Sequence, residues 1–514
     1  GGDLMAINFI PNDPLSLASL PLRAQAPRPD RPAGTTGFSV QDPVAEGLFE
    51  QGTPDFLFWQ CREAALLALE TWESLVGPLA EWGIPGPDRK ILPVFPNDGF
   101  DLNAYYDRES LRFFEDNTDG KSTFSGASTD VVTHETGHAL LDAVRPELMS
   151  RIQGGANPLP EINAFHESFG DCVALLTALS DQDTRAALLA VSPDLGAPNF
   201  VEALMDDLAD GILRAFGPDN ASAQPRRALN NFQWKLPTLL PTSGPPAVLS
   251  GEEHSFSRVF TGCFYDTVRN IFNGQQDHTE AGLLAAAQTA GKLLIAAASK
   301  APEAARFFQS VGRAMVLEDQ TRNGGAHRDA IGRAFGGHGV RLGSAAMTAP
   351  RAALAGGAPR LAAAAAEVLS PATRRDLRDR MGIPSGSRMV VNTLELGGES
   401  LAKAVYHRAV SLTGLAAGLE GVVALAPEPV LVGAVGGRAA LLSALPEPST
   451  TEDEVRSYVS TLVAADRIEL PEGRRRKPRG AVAASTPGAL PTHAVQTRGD
   501  QKVLVRVRFL CGRH

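Results

Sequence analysis

Cysteine is scarce in this chain: 514 residues carry four, Cys61, Cys172, Cys263 and Cys511. They lie far apart and none forms a CxxC pair. That argues against a disulfide framework or a cysteine-type zinc cage, and buried free thiols are expected. Positive charge is in deficit, with 48 Lys and Arg against 58 Asp and Glu and a formal net charge of −10. Such a balance offers no footprint for nucleic acid. The single basic run, Arg474 to Lys477, reads as a solvated loop. Long uninterrupted apolar runs are missing, because Gly, Pro and charge break the Ala-rich stretches, so no membrane span or membrane partner is expected. The first residues lack a basic stretch followed by an apolar one, which makes a cytoplasmic location the simplest expectation.

What is present fits a globular protein too long for one ordinary core, so two or three domains are expected. Residues 1–45 are rich in Pro and Gly and read as an extended segment over the body. Helical spacing of apolar residues follows over 55–82. Strands are expected at 91–94 and 102–114, separated by the turn residues Pro96, Asn97, Asp98 and Gly99. Helices are then expected at 130–144, 161–179, 256–272, 280–299 and 303–317. An Ala/Gly-rich stretch at 344–370 reads as a linker. Beyond it the pattern predicts a small α+β domain over 371–514. Its expected elements are a helix at 373–381, a strand at 389–396, a helix at 451–465 capped by Thr450 or Thr451, and an alternating strand at 501–510. The division is therefore 1–45, 46–145, 146–343, 344–370 and 371–514.

The chemistry concentrates in His134-Glu135-Thr136-Gly137-His138. Residues i and i+4 share a helical face, so both imidazoles can reach one metal ion, and Glu135 between them can take a proton from an attacking water. Downstream, Glu167 and Asp171 repeat the i, i+4 spacing. A catalytic zinc takes three protein ligands and keeps one open position. Glu167 would complete a two-histidine, one-carboxylate set, and Asp171 would accept the outer N–H of a ligating histidine.

These segments resemble the thermolysin family of gluzincin metallopeptidases. Besides the two motifs, Asn103-Ala104-Tyr105-Tyr106 with Leu111 to Phe114 is similar to the family's substrate-binding edge strand, and Gly126, Asp130 to Val132 and Asp142 agree in place. His254-Ser255-Phe256-Ser257, with Tyr265 eleven residues after His254, resembles the segment of the second active-site histidine. The resemblance covers about residues 100–340. It implies an α+β, two-lobed peptidase with a strand-bearing N-terminal lobe (46–145) and a helical lobe (146–343). It implies one catalytic zinc held by His134, His138 and Glu167, Glu135 as general base, and His254 stabilising the oxyanion, with Glu252 to orient it. It implies Asn103, Ala104 and Arg227 as substrate contacts and Asp171 and Asp142 as supporting groups; Arg226 stands beside Arg227, and a one-residue slip would put it in that place. His166 replaces the asparagine that usually precedes the ligand glutamate and is expected to support His138 instead. The family's oxyanion tyrosine and its calcium cluster are not evident, and 371–514 has no counterpart.

The expected activity is hydrolysis of peptide bonds in a peptide or protein substrate. The alternative is a restricted or inactive zinc-bearing binding protein on a peptidase scaffold, with 371–514 as the surface for a protein partner.

Overall fold

A computed structural model describes residues 6–149, 158–342, 370–396, 399–435, 438–441, 448–470 and 490–512. The expected linker lies almost wholly outside these residues, as does the basic run at 474–477. The architecture is mixed α+β.

Helix α1 (Pro54–Val76) begins where the Thr53 hydroxyl accepts the Phe56 N–H and Pro54 presets the first turn. It stops at Gly77, whose φ of 88° a helix cannot continue, six residues short of the expected 55–82. Helices α2 (Thr129–Val144) and α3 (Pro160–Ser180) are buried along nearly their whole length and form the centre of the core. They cross at two glycines. A Cβ on Gly137 would stand 2.9 Å from the Gly170 Cα, so no larger residue fits without separating the helices. The short helices α4 (Gln182–Val191) and α5 (Asp206–Phe216) follow. Then α6 (Glu253–Gly274), α7 (Glu280–Lys300), α8 (Phe307–Asn323) and α9 (Arg328–Gly337) close the core around α3. Helix α8 starts four residues later than expected and runs six further. Among the described residues, α7 is long and apolar enough to cross a membrane, contrary to the sequence reading, and 67% of its apolar window is buried inside the fold.

The expected strand at 102–114 is two strands, Ala104–Tyr106 and Leu111–Phe113, folded into an antiparallel hairpin. Arg108 turns the chain at a φ of 70°. The N-terminal segment is built into the body rather than draped over it. Ile7–Phe9 pairs with Arg23–Gln25, Ile7 and Phe9 are core residues, and Gly37–Val40 runs parallel to Ile91–Phe95.

After α10 (Pro371–Met381), the later region forms a seven-stranded sheet. Met389–Leu396, Glu399–Ser411 and Val422–Val435 form an antiparallel run, extended by Gln501–Arg506 and His493–Arg498. Helix α11 (Pro448–Ala464) begins ahead of Thr450 and Thr451, so neither is its cap. The strand expected over 501–510 breaks after Arg506. Phe509–Leu510 leaves this sheet and becomes the edge of the other one, whose order is Phe509–Leu510, Ala104–Tyr106, Leu111–Phe113, Ile91–Phe95, Gly37–Val40. The later region therefore shares a sheet with the N-terminal part.

Buried charge joins the two regions as well. Glu303 accepts from Arg145, just after α2, at 2.7 Å and from Lys403 at 2.9 Å. Arg145 also caps the end of α7 through the carbonyls of Ala298 and Ala301. Burial alone would raise the Glu303 pKa, but Arg145 and Lys403 outweigh it and hold it at about 2, against an ordinary 4.5. Because the folded value is depressed, its stabilisation is full above about 4.5 and is lost as pH falls towards 2. Glu303→Gln is expected to cost roughly 3 kcal/mol at pH 7, with the deficit shrinking between pH 5 and 3 in urea unfolding curves. A deficit that does not change with pH would show that the charge is not what holds the regions together.

Candidate metal centre and cleft

Helix α2 starts where the Ser128 hydroxyl accepts the Val131 N–H. From that start His134 and His138 face α3. The two imidazole rings stand edge to face with centroids 4.6 Å apart. Glu167 meets them from α3, with Oε2 3.3 Å from His134 Nε2 and Oε1 3.5 Å from His138 Nε2. One donor atom from each of the three lies within 4.8 Å of the others. All three side chains are fully buried, and His138 Nε2 and Glu167 Oε1 have no hydrogen-bond partner. Buried polar atoms without partners are costly. Two imidazole nitrogens and a carboxylate around one point fit a divalent metal ion, which would satisfy them.

The outer nitrogens are held. His134 Nδ1 lies 2.9 Å from Asp171 Oδ1, as expected of Asp171. His138 Nδ1 lies 2.8 Å from His166 Nδ1. For His138 to offer its Nε2 lone pair, Nδ1 must keep the proton and donate it to a neutral His166. Burial favours that state, holding His138 down at about 4 and His166 well below the usual histidine range. Asp142 does a different job. It accepts from the Tyr106 hydroxyl at 2.8 Å and lies 3.6 Å from Arg108, tying α2 to the edge hairpin.

Glu135 is fully buried beside the cluster and neither of its oxygens has a hydrogen-bond partner. Burial pushes its carboxyl up to about 7, a value suited to exchanging a proton near neutral pH. Opposite it, His254 stands in the first turn of α6. Glu252 caps that helix by accepting the His254 and Ser255 N–H groups, and its carboxylate also holds His254 Nδ1 at 2.7 Å. Burial opposes a charge on His254, but Glu167 and Glu252 outweigh it and push the imidazole up to about 10. Its Nε2 lies 3.1 Å from Glu167 Oε2.

The two adjacent arginines part company. Arg226 and Arg227 lie on a short strand against Ala203–Leu204, where successive side chains point to opposite faces. Arg227 turns outward to Glu202. Arg226 turns inward, 3.0 Å from Asp171 and 3.5 Å from Glu167. A cavity of about 220 Å³ opens beside it, walled by Phe232, His254 and Arg258.

Asn103 and Ala104, the expected substrate contacts, are both buried and both engaged by the Phe509–Gly512 segment. Ala104 O accepts the Cys511 N–H at 2.9 Å, and Asn103 Oδ1 accepts the Gly512 N–H at 2.9 Å. His254 Nε2 lies 2.5 Å from the Leu510 carbonyl oxygen. Cys511 sits against His134 and Glu135. The four cysteines are all free and buried, as expected.

No protein-family model and no curated protein matches this chain.

The sequence reading left Arg226 and Arg227 open and missed Cys511, Phe509 and Gly170. The alternation of a β-strand makes Arg226 and Arg227 exclusive choices, but only the partner strand decides between them. Gly170, between Glu167 and Asp171, had a readable clue, since a residue at i+3 from a ligand lies near its face. A Cβ there would stand 2.7 Å from the His134 ring. Gly170→Ala is therefore expected to push His134 off Asp171 and weaken metal retention on the order of 10–100-fold. Competition with a chelator would measure this, and circular dichroism would check the fold. Unchanged retention would mean that His134 has room to spare.

Proposed function

We propose that the chain is a zinc-dependent endopeptidase of the thermolysin-like kind, its cleft lying between a strand-bearing N-terminal lobe and a helical lobe. The observation that carries this reading is the convergence of His134, His138 and Glu167 beside a buried, unpartnered Glu135. The donor set suits zinc, and three protein ligands leave one position open. Zinc, when bound, lowers the pKa of a water and polarises the scissile carbonyl.

This chain's own residues supply the rest. The edge strand at Ala104 aligns an extended peptide through main-chain hydrogen bonds. Asn103 takes a peptide N–H, as it takes that of Gly512. Glu135 removes a proton from the attacking water and returns it to the leaving amine. His254, charged and aimed by Glu252, donates to the carbonyl oxygen as negative charge develops there. Arg226 holds Asp171 and Glu167 in place from the far side and lines the adjoining cavity.

A second reading has its own support. The edge strand is already paired with Phe509–Leu510, which favours a peptidase restricted to a narrow set of substrates or a zinc-bearing binding protein. In the second case residues 371–514 would offer the partner surface.

Metal analysis and a mixed peptide library, applied to wild type and Glu135→Gln, separate these. About one zinc per chain is expected in both proteins. Cleavage is expected to fall on the order of 10²–10⁴-fold in the variant. Zinc without cleavage by either protein would favour the second reading, and a chain that binds no zinc would sink both.

A further inference from the structure

We propose that the Phe509–Gly512 segment is a built-in occupant of the cleft and that the Cys511 thiolate is a fourth ligand of the metal, closing the site until the segment is displaced. The inference rests on the reading of His134, His138 and Glu167 as a zinc site.

The segment is bound as an extended peptide would be. It pairs antiparallel to the edge strand in the register Phe509 to Tyr106 and Leu510 to Tyr105. The two next amides continue the pairing onto Ala104 O and Asn103 Oδ1. The Leu510 carbonyl receives His254 Nε2, the donor assigned above to a substrate carbonyl. Its side chains are anchored as well. The Phe509 ring stacks on His138 and His166, with centroids 4.6 and 4.2 Å away, and Arg506 covers it from behind at 3.7 Å.

Cys511 is 4% exposed, and its Sγ lies with donor atoms of His134 and Glu135, all within 4.8 Å of one another. Arg226 Nη2 stands 3.5 Å from that sulfur. The buried His138 Nε2, a donor atom of the neighbouring metal set, has no hydrogen-bond partner. Cys511 shares His134 with the His134, His138 and Glu167 cluster; a thiolate added to that cluster would make a closed four-coordinate zinc set, the kind found in structural rather than catalytic sites. On coordination the thiol loses its proton to solvent, and no other bond forms or breaks. Displacing the segment frees the fourth position and the edge strand together.

The fit depends on glycine. A Cβ on Gly512 would stand 2.1 Å from the Leu102 carbonyl oxygen and 2.6 Å from the Asn103 Cα. Both are backbone atoms that cannot swing aside, so Gly512→Ala should unseat the segment while leaving the cysteine in the chain.

The test loads the full chain with cobalt(II) in place of zinc and reads metal content, the thiolate-to-cobalt charge-transfer absorption and native-state thiol labelling located by mass spectrometry. Wild type is expected to show the band and an unlabelled Cys511. Cys511→Ala should keep the metal and lose the band. Gly512→Ala should keep the metal, lose the band and expose Cys511 to labelling. Both variants should cleave peptides faster than wild type on the order of tenfold or more, the gain from releasing a mostly closed population. Bound cobalt with no thiolate band in wild type would overturn the proposal and leave the metal site standing. A wild-type chain cut after Leu510 would overturn it too, by making the segment a substrate. A chain that binds no cobalt would instead defeat the metal reading beneath it.

Discussion

Two glycines set the distance between α2 and α3, and the centre depends on that distance. Gly137 and Gly170 bring the helix backbones together where His134, His138 and Glu167 project. A side chain at Gly137 would press on the α3 backbone, and one at Gly170 would press on the His134 ring. The three donors would then no longer surround one point. The core is close-packed on both sides of the crossing, so such a shift could not be absorbed locally. Phe165 and Phe169 fill the far side of α3, and α6 lies across it.

Bringing those donors together concentrates ionisable groups in a dry interior, and each would be costly alone. The arrangement offsets this by interleaving sign. Glu167 lies among three histidines, Asp171 is shared by His134, Thr261 and Arg226, and Glu252 serves both a helix terminus and His254. Glu135 is the exception. It is buried without a partner, which is a cost to stability and the usual condition for a group that moves protons. A similar network continues outward, where Arg506 pairs with Glu253 and bonds Asn163, and Tyr458 from α11 donates to the same Glu253. That network fixes the strand from which the Phe509–Gly512 segment emerges. The later region is therefore tied to the cleft by charge as well as by sheet pairing, and it has a direct structural route to whatever the cleft does.

The candidate metal cluster was legible because its residues are close in sequence within each of two helices. Helical periodicity alone places His134 with His138 and Glu167 with Asp171, and it needs no tertiary information. The helices themselves were readable for the same reason, and most of the expected boundaries lie within a few residues of those found. Reading failed where a partner makes the decision. Arg226 and Arg227 are equivalent until Ala203–Leu204 pairs beside them and assigns one to each face. The alternation over 501–510 is that of one strand, yet the chain leaves its first sheet after Arg506 to complete a different one. Cys511 carried no motif, so a buried free thiol was the reasonable expectation, and it is indeed buried and free of disulfides.

Residue types and local spacing determined the helical framework, the donor set and the supporting carboxylate, because those are short-range consequences of an α-helical repeat. Tertiary structure decided which arginine enters the cluster, and that a segment some four hundred residues beyond Asn103 pairs beside it. Those outcomes depend on contacts between distant parts of the chain, whose pairing is selected by packing and burial rather than by any local preference.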